Sequence, residues 1–517
     1  MNGFPWITAL TLTPLIGAIL LCGLEPHQNR LARGFALAFS LVSLGLAGIL
    51  WANFDSSLGS LQFAERWSWV PTLGVEYFVA VDGLGLLMVM LSTIIVPMAI
   101  LASWRIEERV PIYFALVLFL EAGLLGTFTA LNFFHWFIYW ELSLVPAFFL
   151  IKLWGGPNRS SAAIQFFVYT MVGSVAMLLA FLALAYATGT FDFGRLAELA
   201  RSGELASALT AKFAGFGLSA QQWSLILFVS VFLGFAVKLP VIPFHTWLPS
   251  TYSEAPTGTT ILLTGAMSKM GAYGLVRILM PIFPEPMGLL LTPLLWLAVV
   301  TVVFSACAAF AQRDLKRILA YSSINHLGYC VLGVLAAARL TDNQPYWIAE
   351  KAAALNGVFL QMFNHGLTAS ALFCFVSFLE GRSSGLRGID DFGGLRKVAP
   401  VFCGLMGISV FASMGLPGLN GFVGEFLILK GAFSLAGWAT ALATIGLLVT
   451  AVFLLTLLQR VFNGPLNERW SKFKDLSVSE RIIVLPATIL MFAIGICPQI
   501  IIETINPTVL RIVSQLN

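Results

Sequence analysis

Charge is what this sequence has least of. Only 10% of its 517 residues are Asp, Glu, Lys or Arg, against 58% hydrophobic, too few to cover the surface of a soluble chain of this length. A water-exposed globule is excluded, and the chain reads as a polytopic membrane protein. The net charge of +4 is small and gathers into no basic face, which argues against a nucleic-acid partner. Neither the five histidines nor the six cysteines fall in the paired spacing of a metal, haem or iron–sulfur site. Cys22, Cys307, Cys330, Cys374, Cys403 and Cys497 stand singly in apolar stretches and read as small core residues. A nucleotide-binding fingerprint is missing too, so redox catalysis within this chain is not expected. No linker separates soluble domains. No basic region precedes the first apolar run, which is therefore expected to stay as a helix rather than be cleaved as a signal.

What the sequence does have is a series of long apolar runs. At roughly 20 residues per crossing about fourteen spans fit, the first near 5–23 and the last near 482–502. The seventh is expected over 225–249, the eighth over 257–280, the eleventh over 356–379 and the twelfth over 401–429. Loop charge tests the count, because alternate loops should be rich in Lys and Arg. One set carries Arg105 and Arg109, Lys152 and Arg159, Arg313 with Lys316 and Arg317, Arg382 to Lys397, and Arg460 to Arg481. That set is assigned to the cytoplasm, with both termini on the other side; its exception is the 250–256 turn, which has only Glu254. The mixed-charge loop 188–223 is expected to include a helix lying on the surface. Spans four to eight and nine to thirteen form two blocks of five, and an odd number of crossings inverts the second block. The expected fold is all-α, with an N-terminal three-helix segment (1–111), a first five-helix repeat (112–281), a second, inverted repeat (282–462), and a C-terminal loop and last helix (463–517).

In each block the fourth span is interrupted by proline. Pro240 and Pro243 follow Lys238 in the first, and Pro417 lies in Gly415-Leu416-Pro417-Gly418 in the second. Discontinuous helices at matching places in inverted halves point to a transport site near the membrane midplane. Ionisable residues in the spans sharpen that reading, because each costs free energy in hydrocarbon. Lys238 lies at the end of its run, where a lysine can also snorkel to the surface. Lys269 lies mid-span and cannot. Glu141 is the simplest partner for Lys238, whether as a switch or as a structural ion pair. Glu121 is a second buried carboxylate that helix packing alone would also explain. Glu425, in the second broken span, is the acidic counterpart of Lys238. His326 and His365 fall between Lys269 and Glu425 in the chain; a histidine can relay protons, though a lone buried one is as often a hydrogen-bonded core residue.

Several motifs in order carry a resemblance: Trp140-Glu141-Leu142, Lys238-Leu239-Pro240, Phe244-His245-Thr246-Trp247-Leu248-Pro249, Ser268-Lys269-Met270-Gly271, His365-Gly366-Leu367 and Gly421-Phe422-Val423-Gly424-Glu425-Phe426. Together they resemble the antiporter-like subunits of respiratory complex I, and of these the subunit M family. The resemblance runs over nearly the whole chain. It implies a fourteen-helix fold with two inverted repeats in a bacterial inner (cytoplasmic) membrane, among sibling antiporter-like subunits and other membrane-arm subunits. NADH, FMN, iron–sulfur clusters and quinone would lie in those partners, with no cofactor bound by this chain. Glu141 with Lys238 would be the input pair, Lys269 the central lysine, His326 and His365 the relay and Glu425 the terminal carboxylate, with Glu121 and His245 secondary. A carboxylate at 425, where the sibling subunits typically have lysine, favours subunit M. One stretch departs from the pattern: Ser250-Thr251-Tyr252 stands where the family commonly has Asp-Ala-His, so an inlet role for that turn is in doubt.

Two other classes fit the same residues less well. A cation/proton antiporter subunit would share the fold, and Glu425 argues against it. A scaffold that conducts nothing would not need several separate buried charges, each with its own desolvation cost.

Overall fold

The computed structural model describes residues 4–342 and 344–516. Hydrocarbon supplies no water to backbone groups, so the chain satisfies them within helices. Among the described residues eleven helices are long and apolar enough to cross a membrane, from Asn29–Ala52 to Val478–Ile496. Two shorter apolar helices, Trp6–Cys22 and Pro400–Ser413, and the segment 257–282 bring the crossing segments to fourteen.

The loops sort onto two faces. On one, Arg105, Gly155, Glu254, Lys316 and Arg387 line a common cavity of about 610 Å³. On the other, Leu131 N donates to Phe78 O at 2.9 Å, Phe133 N to Phe191 O at 2.8 Å, and Gln221 meets Glu285 at 3.4 Å. The alternation of basic loops is thus the alternation of the two faces, and the short 250–256 turn belongs with the basic set.

The seventh span stops where its prolines begin. Helix Ala220–Lys238 gives way to a turn over 239–246 and resumes as Trp247–Glu254, with a cis peptide at Ile242–Pro243. Side chains take over the bonding that the helix drops: Trp247 Nε1 donates to Val237 O at 3.0 Å, and Ile242 N donates to Thr301 Oγ1 at 3.1 Å. The twelfth span breaks between Pro400–Ser413 and Asn420–Leu435, where Gly415 (φ +76) and Gly418 (φ +91) take left-handed backbone around Pro417. The eighth, expected as a plain helix, is continuous but wound wide twice, in π-turns over Leu263–Met267 and Leu275–Leu279.

Other boundaries differ from the sequence expectation. The eleventh helix runs over Pro345–Arg382, longer than 356–379, because its ends are held: Glu350 accepts from Lys430 at 2.7 Å, and Arg382 donates to both Glu480 carboxylate oxygens at 2.8 and 2.5 Å. The last crossing ends at Ile496, and after Pro498 a separate helix, Gln499–Ser514, lies beyond it. Loop 188–223 holds two surface helices, Phe193–Arg201 and Glu204–Phe213. One hairpin is added to the helical fold: Gln62–Val70 pairs antiparallel with Val75–Val81 through a turn ended by Gly74 at φ +66. The final helix fastens this region down. Thr508 Oγ1 accepts from Gly83 N at 3.1 Å just after the hairpin, the Pro507 carbonyl packs on Gly59 just before it, and Asn506 meets Asn356 at 2.7 Å.

Close helix contact in the second block depends on small residues, as is common between helices in lipid. A Cβ added at Gly424 would lie 2.7 Å from Gln361 Oε1 and 2.9 Å from Gln361 N, and one at Gly357 would lie 2.5 Å from Ile428 N. These glycines let helix Asn420–Leu435 rest directly on Pro345–Arg382. Gly424→Leu is therefore expected to lower the thermal unfolding midpoint, at a cost of about 1–3 kcal/mol. Gly404→Leu, with nothing within 4 Å of the added Cβ, should leave it unchanged; a fluorescence melt of both variants checks this.

Candidate functional site

Lys269 lies one residue past the first π-turn, after Ser268, and is completely buried. With the helix wound wide there, its ammonium turns back to the Thr264 carbonyl, lies 3.4 Å from Ser268 Oγ, and stands 2.7 Å from His365 Nδ1. The His365 and His326 rings are 5.4 Å apart. His326 Nδ1 lies 2.8 Å from Glu425 Oε1, and its Nε2 lies 3.0 Å from Ser413 Oγ. Gln361 Nε2 donates to the same Glu425 oxygen at 3.0 Å. Four helices thus bring Lys269, His365, His326 and Glu425 into one line.

Between the histidines is a small cavity of about 10 Å³, lined by His326, Gln361, Asn364, His365, Thr368 and Ser413. His365 Nε2, Gln361 Oε1, Asn364 Oδ1 and Thr368 Oγ1 have no protein partner. That space suits on the order of a single water molecule with several polar neighbours. At the far end a Cβ on Gly415 would come within 2.9 Å of Glu425 Oε2, so the broken helix leaves room for the second carboxylate oxygen.

Electrostatics limits what the line can hold. Two cations 2.7 Å apart repel by roughly 6 kcal/mol at an effective dielectric near 20, so Lys269 and His365 are not both cationic in this arrangement. At the other end, the His326 ring is held between the Glu425 carboxylate and the Ser413 hydroxyl.

Hydroxyls lead from Lys269 towards the basic-loop face. Thr264 Oγ1 meets Ser323 Oγ at 3.1 Å, and the buried Tyr252 hydroxyl faces Thr264 and Ser268. The 610 Å³ cavity reaches Thr257 and Gly258, at the start of the same segment. In the turn that departs from the family pattern, the Tyr252 phenol is buried near Thr264 and Ser268, with its hydroxyl unpartnered.

Lys238 is buried and does not snorkel. The expected ion pair with Glu141 does not form: Lys238 Nζ donates to Ser143 Oγ at 3.0 Å and Trp140 O at 3.4 Å, and stands 4.0 Å over the Trp140 ring. Helix geometry gives the reason. Positions 140 and 143 share a helix face, whereas 141 is turned roughly 100° away from 140. Glu141 is only half-buried, with Oε1 unpartnered, yet its charge still acts on Lys238 through space. Among the described residues no hydrogen bond joins Lys238 to Lys269.

Glu121 is fully buried beside Ser43 on a different helix pair, with neither oxygen hydrogen-bonded, and touches no member of the line. His245 lies in the first break, against the rings of Phe304 (5.8 Å) and Tyr321 (6.3 Å). Among the described residues no three His, Cys, Asp or Glu side chains gather as metal ligands. The sequence reading missed a further charge: Arg277, inside the eighth span, pairs with Asp82, which also caps helix Gly83–Ala102 through Leu84 N (3.1 Å) and Gly85 N (3.0 Å). An arginine inside an apolar run was the signal available. Lys316, counted only as a loop charge, is also buried, 2.9 Å from Glu380.

A helical bundle with two broken spans and a buried line of ionisable groups has the architecture of an antiporter-like membrane subunit. The chain belongs to the NADH:quinone oxidoreductase/Mrp antiporter transmembrane family, whose model matches residues 130–453. It is 33% identical over 545 residues to NADH-quinone oxidoreductase subunit M of Mycobacterium tuberculosis, covering 98% of this chain and 94% of that one. It is 36% identical to F(420)H(2) dehydrogenase subunit M of Methanosarcina mazei, covering 96% of each. In structure it superposes with TM-score 0.83 on a chain of respiratory complex I from Thermus thermophilus with bound NADH, at 28% identity and covering 99% of this chain and 100% of that one.

The missed pair gives a stability prediction. Arg277→Met leaves Asp82 buried without its cation and is expected to cost about 3–5 kcal/mol. Adding Asp82→Asn should recover part of that loss, and thermal unfolding of both variants checks it.

Proposed function

We propose that this chain is a proton-translocating membrane-arm subunit of a complex I-type quinone oxidoreductase, driven by redox chemistry in partner subunits. The observation that carries the proposal is the continuous line Lys269–His365–His326–Glu425, which crosses four helices at hydrogen-bond and ring-contact distances. Protons enter from the basic-face cavity past Tyr252, Thr264 and Ser268 and are taken up at Lys269. The Lys269–His365 contact holds one charge and not two, so a proton taken up at Lys269 moves to His365 Nδ1 and leaves the lysine neutral, and the next is taken up once His365 has passed its own on. It then passes through the small cavity to His326 and on to Glu425, from which it leaves towards the opposite face.

The drive is electrostatic. Lys238, held by Ser143 and the Trp140 ring, stands close enough to feel the Glu141 charge. A partner subunit that moves or neutralises Glu141 changes the field at Lys238 and, through it, the proton affinity of Lys269. Residues 112–281 and 282–462 serve as two inverted repeats in this reading, each with a broken fourth span.

NADH, FMN, iron–sulfur clusters and quinone belong to the partner subunits. The relative named for F(420)H(2) supports a role in which the electron donor is chosen elsewhere in the assembly. A sodium antiporter reading is less well supported, because two imidazoles and a lysine carry protons readily, while hard cations are held by oxygen ligands.

The test is proton pumping alongside quinone reduction in vesicles of the assembled complex, with assembly checked on the same sample. Glu425→Gln and Lys238→Ala are each expected to cut pumping by roughly tenfold or more, with quinone reduction slowing in step. Glu121→Gln, off the line, should keep pumping close to the wild-type rate. Wild-type pumping in both of the first two variants would leave the buried charges as architecture and favour the scaffold.

A further inference from the structure

On the basic-loop face, away from the proton line, helices Gly83–Ala102, Pro345–Arg382 and Val478–Ile496 enclose a groove of about 900 Å³. Its floor is fixed. Arg382 donates to Lys474 O at 2.8 Å, to Asp475 O at 3.1 Å and to both Glu480 oxygens, which pins the 468–480 loop over the helix ends. The two acids of the groove are both used internally: Glu480 holds Arg382 and caps its own helix, and Asp475 accepts from Val401 N (3.0 Å) and Phe402 N (2.9 Å).

The remaining cations are not used that way. Arg105, Arg469, Lys472 and Lys474 all line the groove, are exposed, and enter no ion pair among the described residues. With five basic and two acidic side chains in its lining, the groove carries a net positive charge of three over this pinned floor. Its membrane-side lip is apolar. From Ile482, 58% exposed, an uncovered stripe continues down the same helix through Leu485, Ile489, Phe492 and Ile496, and Trp104 flanks the rim.

We propose that this groove binds an anionic phospholipid, with the headgroup phosphate among Arg105, Arg469, Lys472 and Lys474 and the acyl chains along Ile482, Leu485 and Ile489. Charge complementarity selects an anionic headgroup. The apolar stripe beginning at its edge selects a lipid over free phosphate, and over an acidic protein segment that would have no use for it. Basic pockets between helices at this level are where such headgroups are held, and an interfacial Trp fits the same depth.

The experiment is native mass spectrometry of the assembled complex, delipidated in a neutral detergent and titrated with phosphatidylglycerol, adducts being read on this chain after release in the gas phase. Wild-type chain should retain phosphatidylglycerol and not phosphatidylcholine with the same acyl chains. Arg469→Ala/Lys472→Ala/Lys474→Ala should weaken retention by roughly a hundredfold, at about one kcal/mol per charge removed. The charge-keeping variant Arg469→Lys/Lys472→Arg/Lys474→Arg should restore it, which separates lost charge from lost folding. Undiminished retention in the alanine variant, equal retention of phosphatidylcholine, or displacement by millimolar inorganic phosphate would each overturn the proposal. So would adducts that appear only after a neighbouring subunit has been stripped away, since the groove would then be a protein contact.

Discussion

A charge inside hydrocarbon has to be answered by protein, and the rest of this structure depends on how Lys269 is answered. Its neighbour is an imidazole rather than a carboxylate. A carboxylate at that distance would hold the ammonium proton firmly, whereas a second base competes for it. The glycines that bring helix Asn420–Leu435 onto Pro345–Arg382, the π-turn before Lys269 and the break around Pro417 all serve to place groups along one line with that contact.

The buried charges divide by how completely they are met. Asp82–Arg277, Glu480–Arg382 and Glu380–Lys316 are closed pairs near the membrane faces, holding helix ends in register. Glu141, with an oxygen left unpartnered, and His365, with Nε2 facing a cavity, are only partly met. Removing one member of a closed pair strands a charge and destabilises the fold.

What was legible in the sequence follows from how local each rule is. Pro240, Pro243 and Pro417 act on their own backbone, so the broken spans could be placed from them alone. The six residues of the expected path were picked out because ionisable groups in apolar runs stand out. Their partners were not. Lys269 meets His365 across 96 residues, and only helix packing decides that. Glu141 and Lys238 looked like natural partners by charge, but the 100° turn per residue gave Lys238 to Ser143 and the Trp140 ring instead. The π-turns carry no sequence mark. The hairpin does alternate in Trp67-Ser68-Trp69-Val70, but Glu65, Arg66 and Glu76 interrupt the apolar pattern on either side.

The clasp of helix Gln499–Ser514 on the hairpin joins residues 425 positions apart, through Gly83 N and Thr508 Oγ1. A ribosome delivers these groups at opposite ends of its work. The hairpin emerges among the first elements, with its side of the clasp empty, and stays so until nearly the whole chain has been threaded into the bilayer. Closure of that clasp therefore waits until Thr508 has been made, so the first crossing segments are tied to this late helix only after the helices between them have been synthesised.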